Sequence, residues 1–190
     1  MNDQSQNSIP VDGPSEDHFI DPGYKRLALI KESCDRLTTY FKRIDSDEIR
    51  PLKEAVCPQA VSIPLYGWFR LDLMLYCMYL AQADTTVDLH ELHTINTLLE
   101  TDYSAEDVRN MVAPYGDLTD FSDKVPSSLL LAVQTDAILR EADPNAGQAA
   151  PLILDLYEKL GFYLMSLDRV MTAREMTVIN TYLDNMQKSI

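Results

Sequence analysis

Two short stretches of the chain share one pattern, YLAQADTTVDLHELHTI at residues 79–95 and YLMSLDRVMTAREMTVI at residues 163–179. The two copies align without a gap. Each has an apolar end, then an Asp, an apolar residue three positions later, a capping residue and a Glu three positions beyond the cap. An apolar run that ends in a short polar turn and resumes after a cap predicts two antiparallel helices. The sequence therefore predicts two helix hairpins of the same design, with turns near 84–91 and 168–175.

Apolar residues continue at helical spacing on both sides of the repeat. The segment 65–83 is apolar nearly all round, which predicts a central helix. Residues 46–64 hold three prolines and predict an irregular connection with one short helical piece, and residues 115–123 predict a polar loop. Helix starts are predicted at Pro22, Leu65, Asp88, Ser104, Pro126, Pro151 and Thr172. The expected fold is an all-α bundle of about seven helices.

The length of 190 residues and the composition favour one globular domain. Residues 1–21 carry Asn, Gln, Ser, Pro and Asp with little apolar content, so their burial cannot offset the entropy of ordering them. We expect a flexible acidic tail over 1–21 and a single all-helical domain over 22–190.

The formal net charge of −14 makes the field around the protein repulsive to phosphate. This disfavours nucleic acid and anionic membrane surfaces as partners, and it suits a basic protein patch or a cation. The acidity is concentrated between residues 84 and 123, where Arg109 is the one basic residue before Lys124. An acidic surface in the middle of the chain is therefore expected.

The location expected from the sequence is the cytoplasm. Polar residues follow Met1, so the start has no signal-peptide core. Arg70 and Asp72 interrupt the longest apolar stretch, which argues against membrane insertion. The three cysteines are odd in number and widely spaced, which fits a reducing compartment better than a disulfide framework.

The repeated turns have a structural interpretation. Asp88-x-x-Glu91 and Thr172-x-x-Glu175 have the form of capping boxes, in which the cap side chain accepts an N–H from inside the helix and the Glu accepts the cap's own N–H. Such a motif serves any helix hairpin, whether or not a ligand binds. We prefer this capping role.

A second interpretation is that the turns gather oxygen ligands for a divalent cation such as Ca²⁺, Mg²⁺ or Mn²⁺. The candidate metal ligands are Asp84, Asp88, Glu91, Asp168 and Glu175. The pattern departs from an EF-hand, because the turn lacks the central Gly and the twelfth position from Asp84 is Ile95. At most a weak or shared cation site is expected, with no other cofactor.

The runs AQADTTVDLHE at 81–91 and LGFYLMSLDRVMTARE at 160–175 resemble the TerB-like (tellurite-resistance protein B) helical domain. The resemblance covers roughly residues 65–186, and PSSLL at 126–130 is similar to versions of the domain attached to AAA+ ATPases. It implies an all-helical module associated with stress-response, ATPase or membrane-linked systems, with metal binding through acidic residues in some members. The family's Gly after the turn Asp is replaced here by Thr85 and Arg169.

The sequence offers no assembled catalytic site. His90 and His93 are three apart, whereas the zinc-protease motif needs two His four apart, and both phosphate-binding glycine motifs are missing. We therefore expect a protein that is not an enzyme and that acts as an interaction module with an acidic helical surface. A protein partner is expected, with an AAA+ ATPase or a stress-response system as the implied class. The alternative is a sensor that binds a divalent cation at the two acidic turns.

Overall fold

A computed structural model of the chain describes residues 22–81, 87–113, 121–145, 147–167 and 173–190. Regular structure within these ranges is helical, which confirms the predicted all-α class. The α-helices that lie entirely within them are α1 (Pro22–Ile44), α2 (Arg50–Val56), α3 (Leu65–Ala81), α4 (Leu89–Leu99), α5 (Ala105–Val112), α6 (Ser127–Ala142), α7 (Ala149–Leu167) and α8 (Ala173–Gln187). The short helical piece expected within 46–64 is α2, flanked by 3₁₀ turns at Asp47–Ile49 and Pro58–Ala60.

Helices α3 and α7 form the centre of the bundle. They pack against each other, α1 packs across both, and α6 also contacts both. Each is apolar on most of its circumference, and each has buried side chains along its length. An α-helix that is apolar nearly all round is stable in water only when neighbours cover every side. The predicted central position of the 65–83 segment is confirmed.

A cluster of aromatic rings joins the two hairpin regions. The ring of Tyr76 on α3 lies 4.7 Å from that of Tyr157 on α7 and 5.2 Å from that of Tyr182 on α8. Phe121 stacks between Tyr182, at 4.8 Å, and Tyr79, at 4.1 Å. The prediction that residues 115–123 form a polar loop is wrong for Phe121, whose side chain is buried. Its burial depends on rings from two separate helices, which no local pattern reveals.

At the start of both α3 and α6, a backbone N–H donates to a carboxylate from a distant part of the chain. The backbone N–H of Leu65 donates to Asp45 Oδ2 at 2.9 Å, and that of Ser128 donates to Asp72 Oδ2 at 2.8 Å. The first N–H groups of a helix have no partner within the helix, so a carboxylate there satisfies them and is also favoured by the helix dipole. These remote caps fix where each helix starts relative to its neighbours.

The helices of both predicted hairpins are present, and in each pair the two helices pack together: α3 with α4, and α7 with α8. Residues 82–86 and 168–172, which contain most of the two turns, lie outside the described residues. The likeness of the two turns therefore stays a prediction. Within the described ranges, every helix is too short or too polar to cross a membrane.

Candidate functional site

The first repeated turn leads into α4 through a complete capping box. Asp88 Oδ1 accepts the backbone N–H groups of His90, at 2.6 Å, and Glu91, at 2.9 Å. Glu91 Oε2 in turn accepts the N–H of Asp88 at 2.9 Å, and the Glu91 side chain is buried. The predicted capping role of Asp88 and Glu91 is confirmed. The corresponding cap at Thr172 lies outside the described residues.

The five candidate metal ligands fall into two groups. Asp84 and Asp168 lie outside the described residues, as does the side chain of Glu175, which belongs to the first turn of α8. The structure brings Asp88 and Glu91 together, but their carboxylates accept backbone N–H groups in the cap of α4. The described part of the chain has no cluster of three or more His, Cys, Asp or Glu side chains placed to hold a metal ion. Cation binding by the turns stays a prediction.

Substitutions at Asp88 separate the capping role from a cation site. We expect Asp88→Ala to lower the free energy of unfolding by about 1 kcal/mol, because two helix N–H groups lose their acceptor. Asp88→Asn should leave stability nearly unchanged, since Asn caps a helix as well as Asp does. Urea unfolding with and without 5 mM Ca²⁺, which is about 1000 times a Kd of about 5 μM, measures both effects.

If Ca²⁺ stabilises the wild type and both variants lose that gain, Asp88 is a cation ligand as well as a cap. Asp102→Ala is the matched control, because Asp102 is exposed and lies outside any helix. Its effect should stay within about 0.5 kcal/mol.

The outer face of α4 leads into an acidic connection. Leu89 and His93 are exposed and lie four residues apart, so they share one side of the helix, and the exposed Glu100 follows its last residue. Leu89 is the most exposed large apolar side chain in the described residues, at 82%. The sequence did not predict that Leu89 is exposed. Leu89 lies three residues before Leu92, and this spacing fits a side chain that faces the core as well as one that faces the solvent.

The connection between α4 and α5 is held in one conformation by Asn96. The Asn96 side chain accepts the N–H of Tyr103 at 2.8 Å and the hydroxyl of Thr101 at 3.0 Å, and it donates to the Tyr103 carbonyl at 2.9 Å. Asp102, which lies between these partners, is exposed. An exposed carboxylate on a fixed loop holds its charge in a defined place. It suits recognition better than a carboxylate on a mobile loop, because binding does not have to order the loop.

Helix α5 adds further carboxylates to the same region. Ser104 caps its start and forms a capping box with Asp107, and these hydrogen bonds lower the pKa of the Asp107 carboxyl. Glu106 is exposed on the first turn. Arg109 donates its Nε–H to the Ala105 carbonyl at 3.1 Å.

We call Leu89, His93, Glu100, Asp102 and Glu106 the acidic face. Between residues 88 and 109 the chain has six Asp or Glu against one Arg, and four of the six, Glu100, Asp102, Glu106 and Asp107, are exposed. Lys31 of α1 donates to Glu100 Oε1 at 2.9 Å and lowers the pKa of that carboxyl. This contact ties the end of α4 to α1 and leaves Asp102 and Glu106 as the outward charges.

Asp72 of α3 is a further carboxyl whose pKa is shifted. Desolvation raises its pKa from 3.8 to about 6, although the Ser128 backbone N–H and side chain act in the opposite direction. The Tyr157 hydroxyl is also buried, and it has no hydrogen-bond partner among the described residues. A raised carboxyl pKa often marks a functional site, but here the partly buried carboxylate caps the start of α6.

The raised pKa makes stability depend on pH. The folded state binds the proton of Asp72 more tightly than the unfolded state, so stability falls as pH rises from about 4 to about 6 and then stays lower. We expect Asp72→Asn to match the wild type near pH 4 and to exceed it by about 3 kcal/mol at pH 7.5, at about 1.4 kcal/mol per pKa unit. Urea unfolding from pH 4 to 8 tests this. A difference between the two proteins that does not vary with pH would contradict it.

Comparison of the chain with protein-family models, with curated proteins and with solved structures gives no match in any of the three. The TerB-like resemblance therefore stays a prediction.

Proposed function

We propose that the protein is a non-catalytic interaction module whose acidic face receives a basic segment of a partner protein. The observation that carries the proposal is the exposure of Leu89, at 82%, on α4 together with the exposed carboxylates of Asp102 and Glu106 in the loop and helix that follow it. Charge steers a partner to such a surface and fixes its orientation, and an exposed apolar side chain supplies contact area.

The length and charge of the acidic face indicate what kind of partner segment would match it. The outer side of α4 extends over about 16 Å for its 11 residues. A partner helix or extended segment of similar length, with two or three Lys or Arg and an apolar residue facing Leu89, would match it. The resemblance to TerB-like domains implies that an AAA+ ATPase or a stress-response system supplies that segment.

The test is a comparison of captured proteins. Wild-type protein and the double variant Asp102→Lys/Glu106→Lys are immobilised, and partners are collected from a lysate of the source cells at low salt and at 0.5 M NaCl, where the Debye length is about 4 Å. We expect a specific partner to bind the wild type at low salt, to be lost at high salt, and to be missing from the double variant.

Glu158→Lys/Asp184→Lys is the matched control, because both positions are exposed and lie on α7 and α8. It changes the net charge by the same amount without touching the acidic face. Loss of the partner from both variants alike would show that net charge alone is responsible. A partner that binds all three proteins equally would overturn the proposal.

A further inference from the structure

Helices α1 and α7 lie side by side and run in opposite directions. The Asp136 carboxylate accepts both the Tyr40 hydroxyl of α1 and the Ala149 N–H at the start of α7. The C-terminal half of α1 therefore lies beside the start of α7. Because the two helices pack against each other along their lengths, the end of α7 lies beside the start of α1. Between them is a cleft of about 740 Å³, lined in part by Arg36 and Asp155.

Each of the two helices has one row of side chains that reach the solvent. On α1, spacings of three, four and seven residues place the exposed row on one side: Lys25, Leu29, Glu32, Arg36 and Arg43. On α7 the row, in which Asp155 is half-exposed, is Leu152, Asp155, Lys159 and Phe162. We call these two rows the α1–α7 face. Leu29 is 64% exposed and Phe162 is 41% exposed, so large apolar side chains of this face are left in water.

The charge of these helices differs from that of the whole chain. Helices α1 and α7 together have seven Lys or Arg against four Asp or Glu, in a chain that has 16 against 30. Two copies with a net charge of −14 repel each other, and the repulsion is weakest where basic and acidic side chains are mixed. A twofold interface uses the same surface on both copies, so that surface must complement itself. The α1–α7 face, with charges of both signs, can do so.

The positions of the side chains along the helices also match. Arg36 and Asp155 lie at about the same height, because they line the same cleft. Leu29 lies seven residues before Arg36, and Phe162 lies seven residues after Asp155, which is about 10 Å along each helix. Since the helices are antiparallel, both steps go in the same direction. A twofold axis parallel to the helices keeps every height and places α1 of one copy on α7 of the other. The pairs that it forms are Arg36 with Asp155, Glu32 with Lys159, and Leu29 with Phe162.

We propose that the protein forms a twofold-symmetric dimer through the α1–α7 faces of two copies. The dimer removes Leu29 and Phe162 from water and pairs opposite charges beside them. Asp155 and Lys159 form an exposed ion pair within α7, and such a pair contributes too little to hold either side chain away from a second copy. The acidic face belongs to α4, α5 and their connection, so this inference is independent of the partner proposed there.

The size of the face predicts a weak dimer. Helix α7 has 19 residues and is about 28 Å long, and two adjacent helices are about 20 Å wide, so the face covers about 560 Å² on each copy. Specific protein interfaces begin at about 600 Å² per partner. We therefore expect a Kd of about 10 μM.

Sedimentation velocity of the full chain measures the assembly. With a Kd of about 10 μM, the chain should be largely monomeric at about 1 μM and largely dimeric at about 200 μM. The mass should rise from 21.6 kDa toward twice that value over this range.

Charge reversal tests which face is used. In the proposed dimer, Arg36→Glu and Asp155→Arg each place two like charges against each other twice, so each variant alone should raise the Kd at least about tenfold. An equimolar mixture of the two variants should regain the dimer, because both contacts then join opposite charges. Asp184→Arg and Lys188→Glu are the matched controls, at exposed positions on and just after α8. Each control alone should dimerise as the wild type does.

Three results would overturn the proposal. One is a wild-type chain that stays monomeric at about 200 μM, where a dimer with a Kd of about 10 μM must form. Another is a reversal at Arg36 or Asp155 that leaves dimerisation unchanged, because the copies would then meet through other surfaces. The third is a mixture of the two variants that stays monomeric, because α1 of one copy would then not lie on α7 of the other.

Discussion

Asp136→Ala is expected to lower the free energy of unfolding by about 4 kcal/mol. Asp136 on α6 is fully buried, and its two carboxylate oxygens accept the backbone N–H groups of Ala149, at 3.2 Å, and Ala150, at 2.8 Å. Tyr40 donates to the same carboxylate at 3.4 Å, and the Arg140 guanidinium lies 3.8 Å away. Alanine would leave two buried N–H groups at the start of α7 without an acceptor.

The size of the effect is measured by urea unfolding of Asp136→Ala, Asp136→Asn and a control, Asp155→Ala. Asp136→Asn keeps one carbonyl oxygen as an acceptor, so it should lower the free energy of unfolding about half as much as Asp136→Ala does. Asp155 pairs with Lys159 in an exposed position on α7, so its loss should cost no more than about 0.5 kcal/mol. If Asp136→Ala were as mild as the control, the carboxylate would not be what anchors the start of α7.

Gly147→Ala is expected to cost at least about 3 kcal/mol. Gly147 has φ +69°, in the left-handed region that residues with a Cβ rarely adopt. A Cβ there would also lie 2.8 Å from Asp136 Cα and 2.9 Å from the Asp136 carbonyl carbon. These are backbone atoms of a helix and cannot move aside, so the turn that brings Ala149 and Ala150 to Asp136 would have to shift.

Gly67→Ala is the matched control for this substitution. Gly67 lies within α3, and a Cβ there would meet only the side chain of Ile63, at 3.0 Å, which is partly exposed and free to adjust. Since Gly inside a helix is worse than Ala by about 1 kcal/mol, Gly67→Ala should be neutral or stabilising. Thermal unfolding of the two variants compares them directly, and equal losses would contradict the conformational argument.

The sequence predicted the local features of the fold because these depend on neighbouring residues. Apolar spacing and prolines indicated the helices, and the predicted starts at Pro22, Leu65 and Pro126 agree with the structure within a residue. The capping boxes at Asp88 and Ser104 were also within reach of sequence reasoning, because the cap and its acidic partner are only three residues apart.

The candidate site was predictable in charge but not in shape. The excess of carboxylates after residue 84 indicated an acidic surface. The exposure of Leu89 and the fixed position of Asp102 emerge only when α4 packs on α3 and Asn96 binds the loop at Tyr103. The same limit applies to Phe121, whose burial depends on its stacking with Tyr79 and Tyr182.

The amino-acid sequence by itself determined the helices, the local caps and the acidity of this protein, because propensity, proline and short-range hydrogen bonds act within a few residues. Tertiary structure alone decided where three of the helices are anchored: α3 on Asp45, α6 on Asp72 and α7 on Asp136. These carboxylates lie 20, 56 and 14 residues from the N–H groups they accept. The physical reason is that a carboxylate can satisfy any helix start that packing brings within hydrogen-bond reach, whatever its separation along the chain.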